Sequence, residues 1–188
     1  MKMVLNYPVL YKTTDSRAET AIATAVQSAV DDAKSLWAPE SFDGVFPTKG
    51  YGIRRLRPRD ICSNSGSIYG PSNSTWLVSI IAASTWQYFI SSGVLSDSCY
   101  IVITGFFNYD ASPDVDAIKI NADGIEYTIC DLDEAYGWDV ATAYFSHPIV
   151  VRPQKLISIR CRARTAGQKQ FGLLGFTIAK RSYLITEI

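Results

Sequence analysis

The stretch from Ala117 to Cys130 admits one local fold. Ile118 and Ile120 lead into Asn121-Ala-Asp-Gly124, after which Ile125, Tyr127 and Ile129 alternate with Glu126 and Thr128. Successive side chains of a strand point to opposite faces, so a period of two around an Asp-Gly turn predicts a β-hairpin. Lys155 to Arg164 repeats the pattern, with Ile157, Ile159, Cys161 and Ala163 on one side and Ser158, Arg160, Arg162 and Arg164 on the other. Cys99 to Phe107, Ile149 to Val151 and Phe171 to Ala179 read as further strands, and Tyr183 to Glu187 as a last edge strand. Asp131 to Tyr144 reads as a loop or short helix. Short strands separated by turn signals predict a mainly β chain, an antiparallel β-sandwich of jelly-roll-like form.

One helix precedes the strands. Ser16 and Glu19 have capping-box spacing, Ile22, Val26, Val30, Ala33 and Trp37 recur at helical intervals, and Pro39 ends the run. The sequence therefore divides into an N-terminal segment, 1–38, with an amphipathic helix over 16–37, and a single β-rich domain, 39–188. The many alanines between the apolar positions make this a thin helix that another backbone can approach closely. It either covers one side of its own domain or forms an arm packed on a neighbouring subunit. At 188 residues the chain is long enough to bury a normal core.

Charge is distributed unevenly. Arg54, Arg55, Arg57 and Arg59 crowd together, and no charged side chain then occurs between Asp60 and Asp97. The first part of that gap, Cys62 to Thr75, is a Ser/Gly/Asn loop. The second, Trp76 to Ile90, is apolar and aromatic, and fits one helix or two strands equally. It is too short and too polar to span a bilayer. A charge-free stretch is either buried or pressed against another chain. Residues 101–150 hold Lys119 against nine acids, a net of −8, whereas residues 151–188 hold eight bases against Glu187, a net of +7. Either these segments face apart, favouring head-to-tail contacts between copies, or they are neighbouring strands whose charges pair within one chain.

The whole chain sums to zero net charge, with 18 bases and 18 acids, which argues against a general nucleic-acid binder. Arg160, Arg162 and Arg164, with the 54–59 cluster, would make at most a local packaging contact. Met1 to Tyr11 has neither the uninterrupted apolar core nor the cleavage site of a secretory signal, so synthesis in the cytoplasm is expected. Cys62, Cys99, Cys130 and Cys161 lie too far apart for a zinc knuckle or a compact disulfide framework. Cys99 and Cys161 occupy apolar strand positions, so buried free thiols are expected there.

No catalytic motif stands out. His147, the sole histidine, sits in Ser146-His147-Pro148 with no nucleophile elbow anywhere, and reads as structural. Asp110, Asp114 and Asp116 place carboxylates at every second residue, as a calcium loop does, although Val115 stands where the sharp-turn glycine belongs. Ca2+ is the one cofactor this would imply. Asp131, Asp133, Glu134 and Asp139 would supply paired acids for glycoside hydrolysis only at a fixed separation that the sequence does not set. With Trp138 and Tyr136 they would instead form a sugar-binding platform.

The general form, an arm helix followed by a β-rich domain without a catalytic signature, looks like that of viral coat and other self-assembling shell proteins. That resemblance of architecture implies a non-enzymatic structural subunit, located in a virion. Its partners would be further copies of itself and other shell proteins, with Arg160, Arg162, Arg164, Trp76, Trp86 and Trp37 at subunit interfaces. The alternative class is a β-sandwich module that binds carbohydrate or another ligand.

Overall fold

The computed structural model describes residues 8–37, 50–61, 75–129, 132–138 and 141–185. In chain order the elements are β1 (Leu10–Tyr11), α1 (Ser16–Trp37), β2 (Tyr51–Arg55), α2 (Pro58–Ile61), β3 (Val78–Ile80) and β4 (Gln87–Val94). They continue with β5 (Cys99–Asn108), β6 (Val115–Ala122), β7 (Ile125–Ile129), α3 (Asp133–Tyr136) and β8 (Thr142–Val151). Last come β9 (Leu156–Ala163), β10 (Gly167–Lys169), β11 (Phe171–Lys180) and α4 (Arg181–Ile185).

The strands build a mainly antiparallel β structure. A five-stranded sheet has the order β1-β8-β5-β11-β2, a four-stranded sheet the order β4-β9-β6-β7, and β10 pairs with β3 alone. The pairing follows one rule. With β6 and β7 as the tip, β5 pairs with β8, β4 with β9 and β2 with β11. This is a long folded strip, and rolling it also brings β5 against β11 and β6 against β9.

The inner faces share one core. Ile118, Ile120, Ile157, Ile159 and Cys161 from the four-stranded sheet are buried with Ile101, Ile103, Phe145, Ile149 and Leu173 from the five-stranded sheet. Phe89 of β4 meets Phe171 of β11 edge-on at 5.7 Å between ring centroids, and Phe171 stacks on Phe106. Aromatic pairs of this kind add about 0.5–1.5 kcal/mol beyond the area they bury. The alternation read between 155 and 164 is present in full, and the hairpin turns at Asp123 and Gly124, whose φ of 54° and 81° suit a type I′ turn.

Helix α1 occupies the residues expected of it but is capped differently. Asp15, not Ser16, is the N-cap, and its carboxylate accepts the Arg17 amide at 2.9 Å. Its C-terminal half lies on the outer face of the chain's own five-stranded sheet. Ala29, Val30, Ala33 and Trp37 are buried there against Tyr100, Val102 and Ile178. The apolar stripe is therefore used within the chain, which corrects the reading of an arm docked on a neighbour. Among the described residues no helix is long and apolar enough to cross a membrane.

Two local expectations change. Residues 181–185 form the helix α4 rather than an edge strand, because the ladder ends where the Lys180 amide donates to Ser98 and the Arg181 amide to Gly50. Tyr183 and Leu184 then turn back onto the core. Trp76 to Ile90, ambiguous in sequence, is two strands joined by a turn at Ser84, whose φ is 56°.

Cys99 and Cys161 are buried free thiols, and burial pushes the Cys161 thiol up to about 12. Native-state alkylation followed by peptide mass spectrometry should leave both unmodified and label both after denaturation. Native labelling of either would contradict this packing. Cys62 and Cys130 lie outside the described residues.

Candidate functional site

The most distinctive surface is the outer face of the four-stranded sheet. Because Ile157, Ile159 and Cys161 face inward, Arg160 and Arg162 must face outward. Register then fixes their neighbours. Tyr88 opposes Arg160 on one side and Lys119 opposes it on the other, with Thr128 beyond, so one row runs across all four strands.

Cations lie over aromatic rings along this face. The Arg160 guanidinium sits 5.1 Å from the Tyr88 ring centroid, Lys119 4.8 Å from that of Trp86, and Arg162 5.4 Å from Trp86 as well. Such contacts contribute about 0.5–1 kcal/mol each at exposed sites. Arg162 also donates to Asp116, at 3.0 Å from Nε to both carboxylate oxygens, and Lys119 lies 3.6 Å from Glu126. Arg160 has no carboxylate partner among the described residues.

A shallow hollow of about 300 Å³, lined by Ile81, Ala82, Thr85, Trp86, Gln87 and Tyr88, adjoins the row. Gln87 shapes it. Its Oε1 accepts the Ile81 amide at 2.9 Å and its Nε2 donates to Ala82 and Thr85. Ile81 and Tyr88 are left 58% and 45% exposed, beside a sheet edge formed by β4. Trp, Tyr and Arg around an exposed apolar centre is the composition of interface hot spots.

The predicted interface residues thus separate. Trp86, Arg160 and Arg162 come together on this face. Trp37, the last residue of α1, is buried against the chain's own sheet, edge-on to Tyr100 at 5.5 Å. Trp76 packs on Phe89 and Phe107. Arg164 pairs with Asp133.

The segregated charges pair internally, Asp114 with Lys169, Asp116 with Arg162, Asp123 with Lys155 and Asp133 with Arg164. The acidic and basic segments are neighbours in space, so they give no argument for head-to-tail assembly. The 54–59 arginines belong to the other sheet's margin, and Arg54 is bound to the buried Asp60. They do not form one surface with Arg160.

The calcium reading is corrected too. Asp110 accepts the Gln170 amide, Asp114 is held by Lys169 and Thr165, and Asp116 by Arg162. Among the described residues no three ligating side chains converge. Burial alone would raise the Asp114 carboxyl, but hydrogen bonds from Lys169 and Thr165 outweigh it and hold the group below its ordinary value.

Tyr136 is no sugar platform. Its hydroxyl donates to the Val115 carbonyl and accepts from Asn108, and its ring packs edge-on to Phe106. Burial raises that phenol. Trp138 is half-buried, with Lys12 at 5.8 Å. Asp133 is engaged by Arg164, Glu134 is exposed, and Asp131 and Asp139 lie outside the described residues. His147 is exposed at a bulge of β8, with Nδ1 2.9 Å from Ser146 Oγ. No carboxylate is paired with its ring among the described residues, whereas a hydrolytic triad needs one to orient the imidazole.

Sequence reasoning missed Tyr88, Ile81 and Lys119. The signal for Lys119 was present, since the hairpin places it outward one strand away from Arg160. No known family, curated protein or solved structure matches this chain.

Proposed function

We propose that this protein is a structural subunit that self-assembles into a capsid or comparable shell, and that assembly is its activity. The observation that carries the reading is strand order. Sheets ordered β1-β8-β5-β11-β2 and β4-β9-β6-β7 form an antiparallel sandwich, and their order supports reading it as a jelly roll. That architecture recurs in coat and lectin domains, and fold alone does not decide between them. The Tyr88–Trp86–Arg160 face supports assembly because it offers aromatic and arginine anchors beside an open strand edge. The sugar-binding alternative loses support with Tyr136 half-buried and its hydroxyl bonded to Val115 and Asn108. In the assembly reading the partners are further copies, with other shell proteins and nucleic acid as additional local contacts, and the location is the virion.

Light scattering of the purified protein across roughly 50 to 500 mM salt, where the screening length falls from about 14 to 4 Å, tests this. The expected result is a large species whose mass collapses to the 20.8 kDa subunit in Tyr88→Ala/Arg160→Ala. Because Tyr88 is exposed and Arg160 pairs with no carboxylate among the described residues, that variant should remain folded, losing no more than about 0.5–1 kcal/mol, the worth of their cation–π contact. A wild-type protein that remains a 20.8 kDa monomer at every salt and concentration would overturn the proposal.

A further inference from the structure

On the opposite side of the molecule α1 covers only part of the five-stranded sheet. A cleft of about 860 Å³ lies between the N-terminal half of the helix and the sheet. Small-molecule sites fall in the range of about 300–1,000 Å³ and combine an apolar lining with a few placed polar groups. Ile22 and Val26 line this cleft from the helix, and Leu174, Phe176 and Phe107 from the sheet.

Two polar side chains lie at its ends. Thr142 of β8 lines the cleft, is only 9% exposed, and its buried Oγ1 has no hydrogen-bond partner among the described residues. A buried hydroxyl without a partner forfeits its hydration, a cost that a ligand oxygen would remove. Arg55 of β2 also lines the cleft, and its guanidinium pairs with no carboxylate among the described residues. The sheet order puts β5 and β11 between β8 and β2. Thr142 lies in the row of Gly172 and Arg55 opposite Phe176, so three strand spacings and a four-residue offset along β11 separate their backbones by about 20 Å. The other charged lining residue, Glu19, stands on the helix side; it is free to face the cleft because Asp15 does the capping.

We propose that this cleft binds an elongated amphipathic monocarboxylate, its carboxylate on Arg55, its apolar body across β11 and β5, and a distal oxygen on Thr142 Oγ1. The site is separate from the Tyr88–Arg160 face and does not depend on the assembly reading. It assigns the chain a ligand rather than a partner. An acyl chain of about a dozen carbons bridges that distance once the length of the Arg55 side chain is counted, and the unpaired hydroxyl at the far end selects for a terminal oxygen over a methyl group.

Calorimetry with ω-hydroxylaurate and laurate below their micellar concentrations, and with lauryl alcohol below its solubility limit, tests each contact. ω-Hydroxylaurate should bind one per chain, about tenfold more tightly than laurate, the worth of one well-made hydrogen bond. Lauryl alcohol should bind more weakly than laurate. Thr142→Val should erase the preference for the terminal hydroxyl, and Arg55→Gln the preference for acid over alcohol. Ala23→Trp, which fills the cleft from an exposed helix position, should abolish binding of all three at an unchanged thermal midpoint. Absence of binding by every probe, or binding undiminished in Ala23→Trp, would overturn the proposal. An oligomer that dissociates in Ala23→Trp would do so too, by making a second copy the occupant.

Discussion

Replacing Asp60 by alanine should destabilise the protein by about 3–5 kcal/mol, the range found when one partner of a buried ion pair is removed. The Asp60 carboxylate is fully buried and collects four donors. Arg54 reaches it with both terminal nitrogens at 3.0 and 2.6 Å, the Arg57 amide at 2.9 Å and the Thr177 hydroxyl at 2.6 Å. One side chain therefore ties β2, α2 and β11 together. Truncation strands a fully buried hydroxyl and takes the carboxylate away from a guanidinium only 17% exposed. Urea unfolding should show an earlier midpoint with an unchanged slope. Thr177→Val should cost only about 1 kcal/mol, since it removes a single hydrogen bond. Adding Arg54→Met to Asp60→Ala should recover part of the loss by removing the mostly buried charge that the carboxylate had balanced. A loss below about 1 kcal/mol for Asp60→Ala would mean that the carboxylate does not organise this margin.

Asp60 also shows why parts of this molecule were legible in sequence and parts were not. Elements with an intact period were legible. The hairpin of β6 and β7, the alternation of β9 and the span of α1 each repeat one physical rule over enough residues to exclude the alternatives. Where the period is broken, the reading stalled. β4 shifts register twice, between Tyr88 and Ile90 and between Ile90 and Gly93, so its apolar residues keep neither a strand nor a helix period. Contacts made at long range were hidden altogether. Arg54 looked like a member of a basic surface cluster because its partner, although six residues away, bonds it only once α2 folds against β2.

The site divided along the same line. Arg160 and Arg162 were visibly outward from their own strand, but that Tyr88 lies across from Arg160 required the β4–β9 register. The charge segregation was real, yet its meaning depended on adjacency. Once β6 lies beside β9, acids and bases far apart in sequence pair with one another, Asp116 with Arg162 among them. The cleft gave no sequence signal, since Thr142 and Arg55 are brought to one trough by a sheet whose order skips through the chain.

Gly105→Ala should cost about 3 kcal/mol, the upper part of the range for overpacking, because nothing nearby can move aside cheaply. An added Cβ would sit 2.0 Å from the Ala143 carbonyl oxygen and 3.0 Å from Tyr144 Cα, both main-chain atoms of the adjacent β8. Gly105 stands in β5, the central strand of its sheet, where the ladder shifts register against β8 and, across Gly175, against β11. Thr104 is the residue left over by that shift, and it lines the helix-side cleft. The glycine thus permits a close backbone approach that lets the sheet bulge at the cleft. Gly124→Ala provides the contrast. There a Cβ meets nothing within 4 Å, and the change is confined to a φ of 81°, worth about 1 kcal/mol. In thermal unfolding Gly105→Ala should therefore lie well below Gly124→Ala, and it should also weaken ω-hydroxylaurate binding while Gly124→Ala leaves it intact. Equal losses of stability would show that β5 and β8 separate readily, and that the bulge is not held by close packing of their backbones.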